Sequence, residues 1–176
     1  AIDLAKKFKL SPSDIERAAI AGLLHDCAKL MTPNDLIQYA KQHDIDLSDY
    51  ELAAPQTIHP FVGAHMVQET FNIQDTDILN AIRYHTTGRT NMSVVEKVVY
   101  IADKIEENTR NPLFVKKVEA CLNAPDQGSI DQTMLYLMDS TISFLLEKQQ
   151  IIHPRTLKAR NEYVTLKKKK EDQPID

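Results

Sequence analysis

Apolar residues recur along this chain at intervals of three and four, the spacing that places them on one face of an α-helix. Ile2, Leu4, Ala5 and Phe8 form such a stripe, which stops at Leu10. Ser11-Pro12-Ser13-Asp14 then supplies an N-cap, a proline in the first helical position and an acidic first turn, and predicts a second helix from about Pro12 to Leu30. Thr32-Pro33-Asn34-Asp35 repeats the start signal for a helix to about His43, and His59-Pro60 repeats it for a helix through Phe71. Asp75 caps a further helix carrying Ile78, Leu79, Ile82 and His85, with Gly88 placed to end it. Ser93 and Glu96 form a capping box that opens a helix through about Glu107. Pro112 to Leu122 and Ile130 to Lys148 are amphipathic, the latter through Met134, Leu135, Met138, Ile142 and Leu145, and a last helix starts near Pro154. Strict alternation of apolar and polar residues is not sustained anywhere. Its nearest approach, Val94 to Ile101, is claimed for helix by the capping box. The predicted fold class is all-α, a helical bundle without a sheet.

Composition narrows this picture. A chain of 176 residues with 43% hydrophobic positions fits a single domain with a real core. Four glycines, no tryptophan and prolines used as punctuation between helices disfavour a β-sandwich or barrel. The predicted domain spans residues 1–166. The remaining residues 167–176 carry Lys167-Lys168-Lys169-Lys170 and then Glu171-Asp172-Gln173-Pro174, which reads as a solvated helix end and a disordered tail. A net charge of −4 argues against nucleic acid as a partner, since binding to its backbone rests on cationic contacts to phosphate. Cys27 and Cys121 lie far apart, and nothing resembles a signal peptide or a membrane span, so the expected compartment is a reducing cytoplasm. Ala1 is not Met and the chain opens inside an amphipathic helix, so the natural N-terminus is expected further upstream.

Candidate chemistry starts at His25-Asp26, a polar pair inside the otherwise apolar run Ala18 to Ala28. A buried carboxylate needs a metal, a cation or a pKa shift to compensate its lost hydration. On a helix the two side chains diverge by about 100° yet can reach one cluster across the helix face. The plain alternative is a core histidine with Asp26 paired to Lys29. Asp103 adds weight to the first reading, because Val95, Val99 and Asp103 follow one another at four-residue spacing and put a second carboxylate on an apolar stripe. A salt bridge to Lys104 or Arg83 is its plain alternative. Imidazole and carboxylate ligands from separate helices suit a divalent metal with positions left open for water and phosphate. His59 and His85 can each bind a second metal or a phosphate oxygen, or serve as a cap or a core donor. His43 reads as a surface residue, His65 as a helix-face residue, and His153 is open.

The ordered set His25-Asp26, His59, His85 and Asp103 resembles the HD phosphohydrolase superfamily. The surrounding words Leu24 to Lys29, His59 to Ala64, Ala81 to Arg89 and Glu96 to Glu106 resemble, more narrowly, the YqeK family of bacterial symmetrical diadenosine tetraphosphate hydrolases, over nearly the whole chain. That resemblance implies an HD-domain helical bundle in which His25, Asp26 and Asp103 hold a metal, iron before manganese, cobalt or zinc. It implies His59 and His85 as further catalytic residues, and nucleotide contacts from Asp26, Cys27, Ala28, Lys29, His59, His85 and Thr86. The segment Ile151, Ile152, His153, Pro154, Arg155 and Thr156 matches the family's C-terminal nucleotide-contacting stretch. Two departures stand out. The family's first metal-binding histidine falls upstream of Ala1, and its phosphate-contacting arginine aligns with Thr109, with Arg110 one place later. The implied reaction is metal-dependent cleavage of a dinucleoside tetraphosphate at its centre into two nucleoside diphosphates. Its partner is that small-molecule substrate, with no membrane and with a homodimer left open. An HD phosphohydrolase acting on a nucleoside triphosphate or an alarmone, and a non-catalytic nucleotide-sensing module, are the competing readings.

Overall fold

Local capping chemistry sets most of the helix starts. In a computed structural model describing residues 1–105, 112–123 and 129–172, Ser11 accepts from the Asp14 amide, Thr32 from Asp35, and Asp75 from Asp77 and Ile78. These bonds open α2 (Pro12–Leu24), α3 (Pro33–Gln42) and α6 (Thr76–Tyr84). The Ser93 and Glu96 box closes in both directions, at 3.0 and 3.3 Å, ahead of α7 (Val94–Lys104). A short α1 (Ile2–Lys7) precedes these elements, and α5 (His59–Phe71) begins on His59 itself. A short α4 (Asp49–Ala53) and a 3₁₀ turn at Pro55–Thr57 were not expected. α4 opens on its own capping box, Ser48 with Glu51.

The chain divides into two compact units. The first comprises residues 1–88 and 92–103. There α6 packs against both α5 and α2, α1 lies on α2, and α3 lies on α5. Ile78, Leu79 and Ile82 of α6 are buried, as are Val95, Val98, Val99 and Ile101 of α7. Arg17 joins the start of α2 to the cap of α6, 3.0 Å from Asp14 and 2.8 Å from Asp75. The second unit comprises residues 89–91 and 104 onward. In it α9 (Ser129–Glu147) packs against both α8 (Pro112–Leu122) and α10 (Pro154–Glu171). Phe114 and Tyr136 stack, Arg160 pairs with Asp139 at 2.7 Å, and the Asn91 amide donates to Glu162. The described residues contain no strand, and no helix among them is long and apolar enough to cross a membrane.

One expected boundary is wrong in a way that matters for function. α2 stops at Leu24 rather than near Leu30, and residues 25–30 form turns. Their amides bond three residues back, Cys27 to Leu24, Lys29 to Asp26 and Met31 to Ala28. The cause is tertiary. Ala28 is fully buried in a cluster with Leu36, Ala40, Ile58 and Val62, and a continued helix would carry it away from those residues. His25 and Asp26 therefore sit on a turn at the end of α2.

Candidate metal centre

Three imidazoles and two carboxylates of the first unit converge. His25 comes from the end of α2, His59 from the first position of α5, His85 from the end of α6 and Asp103 from the last turn of α7. Asp26 lies among them. Its Oδ2 is 3.3 Å from His25 Nε2, and its Oδ1 is 3.3 Å from His59 Nε2 and 3.5 Å from His85 Nε2. Asp103 Oδ1 is 3.8 Å from His25 Nε2, and the Asp103 side chain is only 9% exposed.

The three histidines are oriented by one device. Nδ1 of His25 lies 2.8 Å from the Gly22 carbonyl, that of His59 2.9 Å from Gln56, and that of His85 2.8 Å from Ile82, each three residues back. A carbonyl only accepts, so each Nδ1 carries the hydrogen, and in the neutral ring each Nε2 presents a lone pair inward. Nε2 of His59 and His85 are 3.3 Å apart, and the buried Asp26 Oδ1 facing both has no hydrogen-bond partner. Such a convergence of acceptors is unfavourable until a cation enters it. The donor atoms of His25, Asp26 and His85 lie within 4.8 Å of one another, so the residues present fit a metal ion.

The electrostatics agree. Burial opposes ionisation of Asp26, but the adjacent His85 ring, the hydrogen bond from Lys29 and the charges of His25 and His85 outweigh it, holding the carboxyl far below the usual range. Burial also disfavours a charged His25. The nearby Asp103 carboxylate, the Gly22 carbonyl and the charge of Asp26 overcome that and raise its pKa. His59 goes the other way. Burial first, and then the proximity of His85, lower its pKa to about 4, so it stays neutral.

That shift carries a pH dependence. As pH falls through about 6.5 the unfolded chain takes up a proton at His59, while the folded chain resists it down to about 4. Stability is therefore lost through that window, by up to about 3 kcal/mol. In urea unfolding of metal-free protein, the wild type should lose more stability between pH 6.5 and 4 than His59→Gln does. Parallel losses in the two would refute the assignment.

The other expected site residues are placed as follows. Lys29 Nζ is 2.6 Å from Asp26 Oδ2, so the lysine pairing anticipated as a plain alternative exists alongside the histidine cluster. Cys27 Sγ lies 3.7 Å from the Gly63 carbonyl, and Ala28, whose side chain is in the core, has only its backbone to offer a ligand. Thr86 Oγ1 is buried without a hydrogen-bond partner. Thr109 and Arg110 lie outside the described residues. Residues 151–156 belong to the second unit, where His153 is buried and caps α10 by accepting from the Arg155 amide, with Arg155 Nη1 3.3 Å from its Nε2. Thr156 is buried as well. Sequence reasoning missed the orienting carbonyls of Gly22, Gln56 and Ile82, which have no side-chain signature.

Comparison with known proteins gives the same direction. The model of the HD domain family matches residues 1–108. A symmetrical bis(5'-nucleosyl)-tetraphosphatase of Halalkalibacterium halodurans is 38% identical over 92% of this chain and 82% of its own length, and one of Bacillus subtilis is 36% identical with the same coverage. A crystal structure described as a predicted HD superfamily hydrolase involved in NAD metabolism, from Clostridium acetobutylicum, superposes with a TM-score of 0.83 at 32% identity, over 94% of this chain and 83% of that one. Helical architecture, a histidine-aspartate cluster within the segment matched by the family model, and similarity along nearly the whole length place this chain in the HD domain family, in the branch of the symmetrical bis(5'-nucleosyl)-tetraphosphatases.

Proposed function

We propose that the chain is a metal-dependent phosphohydrolase that cleaves dinucleoside tetraphosphates, diadenosine tetraphosphate foremost, at the centre to give two nucleoside diphosphates. The observation that carries this reading is the convergence of three imidazoles on the Asp26 carboxylate, two of them on an oxygen that has no hydrogen-bond partner, in a chain whose relatives bear that activity in their names.

His25, Asp26 and Asp103 would hold the metal, with iron as the proposed ion and manganese, cobalt or zinc as ions the same donors accept. When bound, it would supply Lewis acidity that acidifies water and offsets charge at the attacked phosphoryl group. His59 and His85 act as acceptors toward a cation rather than as donors to phosphate, because Nδ1 of each is committed to a carbonyl and burial keeps His59 neutral. Lys29, tethered to Asp26, provides a cationic charge at the cluster for a phosphate oxygen. Thr86 offers a buried hydroxyl beside His85 that a phosphate oxygen can satisfy.

Product analysis tests the proposal. With diadenosine tetraphosphate and added metal, ADP should be the sole nucleotide product, and chelation should stop its release. ATP with AMP, or pyrophosphate, would assign the chain a different reaction.

A further inference from the structure

A second group of rings shares no residue with the metal centre, and the centre has no use for it. Tyr39 and His43, at the end of α3, face His65 on α5. The Tyr39 and His43 rings stack with centroids 4.2 Å apart, and the His43 and His65 centroids are 4.8 Å apart. Tyr39 Oη lies 3.2 Å from His65 Nδ1. With that nitrogen donating to the phenol oxygen, His65 presents its Nε2 lone pair, the same orientation of an imidazole by a hydrogen bond at its other nitrogen that operates in the metal centre. Glu69 is four residues beyond His65 on α5, hence on the same face of that helix, and is exposed. Its negative charge reaches this group, since after burial it is the next cause of the raised Tyr39 pKa.

We propose that His43 and His65, with Glu69 as a third donor, form a surface site for a divalent transition ion of the zinc, copper or nickel kind, bridging the end of α3 to α5. Two imidazoles at this separation can turn their nitrogens onto one ion at about 2.1 Å, and one carboxylate completes a borderline-soft set that disfavours magnesium and calcium. Such a site forms only where α3 and α5 are packed together, so an ion in it stabilises the fold over the unfolded chain.

Nickel is the probe, applied to the full chain already loaded with its catalytic metal. Equilibrium dialysis should show about one more equivalent of nickel bound to the wild type than to His43→Ala or to His65→Ala, and weaker retention in Glu69→Gln. A hundredfold excess over the wild-type Kd should raise the wild-type Tm by about 5–10 °C, and much less in either histidine variant. All variants should hydrolyse substrate at the wild-type rate in the absence of nickel, which shows that they are folded. Equal nickel content in the wild type and both histidine variants, or an equal Tm shift in the three, would overturn the proposal.

Discussion

Asp26→Asn should lower hydrolysis of diadenosine tetraphosphate by about three orders of magnitude while leaving the helical content unchanged. Asparagine has nearly the shape of aspartate, so no cavity opens. What it removes is the negative charge on which His25, His59 and His85 converge at 3.3 to 3.5 Å and with which Lys29 pairs at 2.6 Å. It also puts an amide donor where a carboxylate oxygen would face a cation, which substitutes for the metal rather than ligating it. Metal catalysis of phosphoryl transfer is worth several kcal/mol, and each 1.36 kcal/mol is a factor of ten, which sets the expected loss at about 10³. Three measurements decide the matter: kcat/KM, bound metal per chain, and far-ultraviolet circular dichroism. A variant that keeps both metal and turnover would remove Asp26 from the site.

His25→Ala and Asp103→Ala lie in the same class, with one difference. Asp103 meets the cluster at His25, 3.8 Å away. Its loss withdraws the nearby negative charge that helps raise the His25 pKa, and leaves the contacts of Asp26 with His59 and His85 in place.

Helix starts could be read from the sequence because their chemistry is local. Ser11, Thr32, Asp75 and Ser93 each bond an amide within three residues, so a short word contains the whole interaction. Ser48-x-x-Glu51 carried the same word for α4, but a helix of five residues has no apolar period to draw attention to it. Helix ends were harder. Ala18 to Leu30 contains nothing that breaks a helix except one glycine, and α2 ends where it does because Ala28 is buried against Ile58 and Val62, residues thirty and more positions away. The site shows the same division. Val95, Val99 and Asp103 fall on one buried stripe as their spacing predicts, and His25-Asp26, His59 and His85 are recognisable as words of a family. The carbonyls that set the imidazole tautomers are invisible in sequence, since every residue has one. His43 and His65 each look unremarkable alone, and only the packing of α3 on α5 brings their rings together.

Gly63→Val should destroy the metal centre without touching any ligand. Gly63 lies on α5 one turn after His59, and the turn that carries His25 and Asp26 is packed directly onto it. A Cβ at position 63 would stand 3.2 Å from Cys27 Sγ and 3.8 Å from both Ala28 Cβ and the His25 carbonyl oxygen. Alanine asks the thiol to give by a few tenths of an ångström, and it gains helix propensity of up to about 1 kcal/mol in return. Valine adds two more methyl groups at a stiff, branched centre, and the backbone at His25 cannot turn aside as a side chain can. The turn must move, and with it Asp26, while His59 stays with α5. A displacement of about 1 Å in a positioned catalytic group costs on the order of a hundredfold in rate, so Gly63→Val should lose at least that much activity together with its metal. Gly63→Ala should lose only a fraction, and Cys27→Ala in the same chain should restore it, because the atom in the way is the sulfur. If Gly63→Val retains its metal and full turnover, close packing of this turn on α5 is not what brings Asp26 to His59. If Cys27→Ala fails to rescue Gly63→Ala, the constraint is the His25 backbone rather than the thiol.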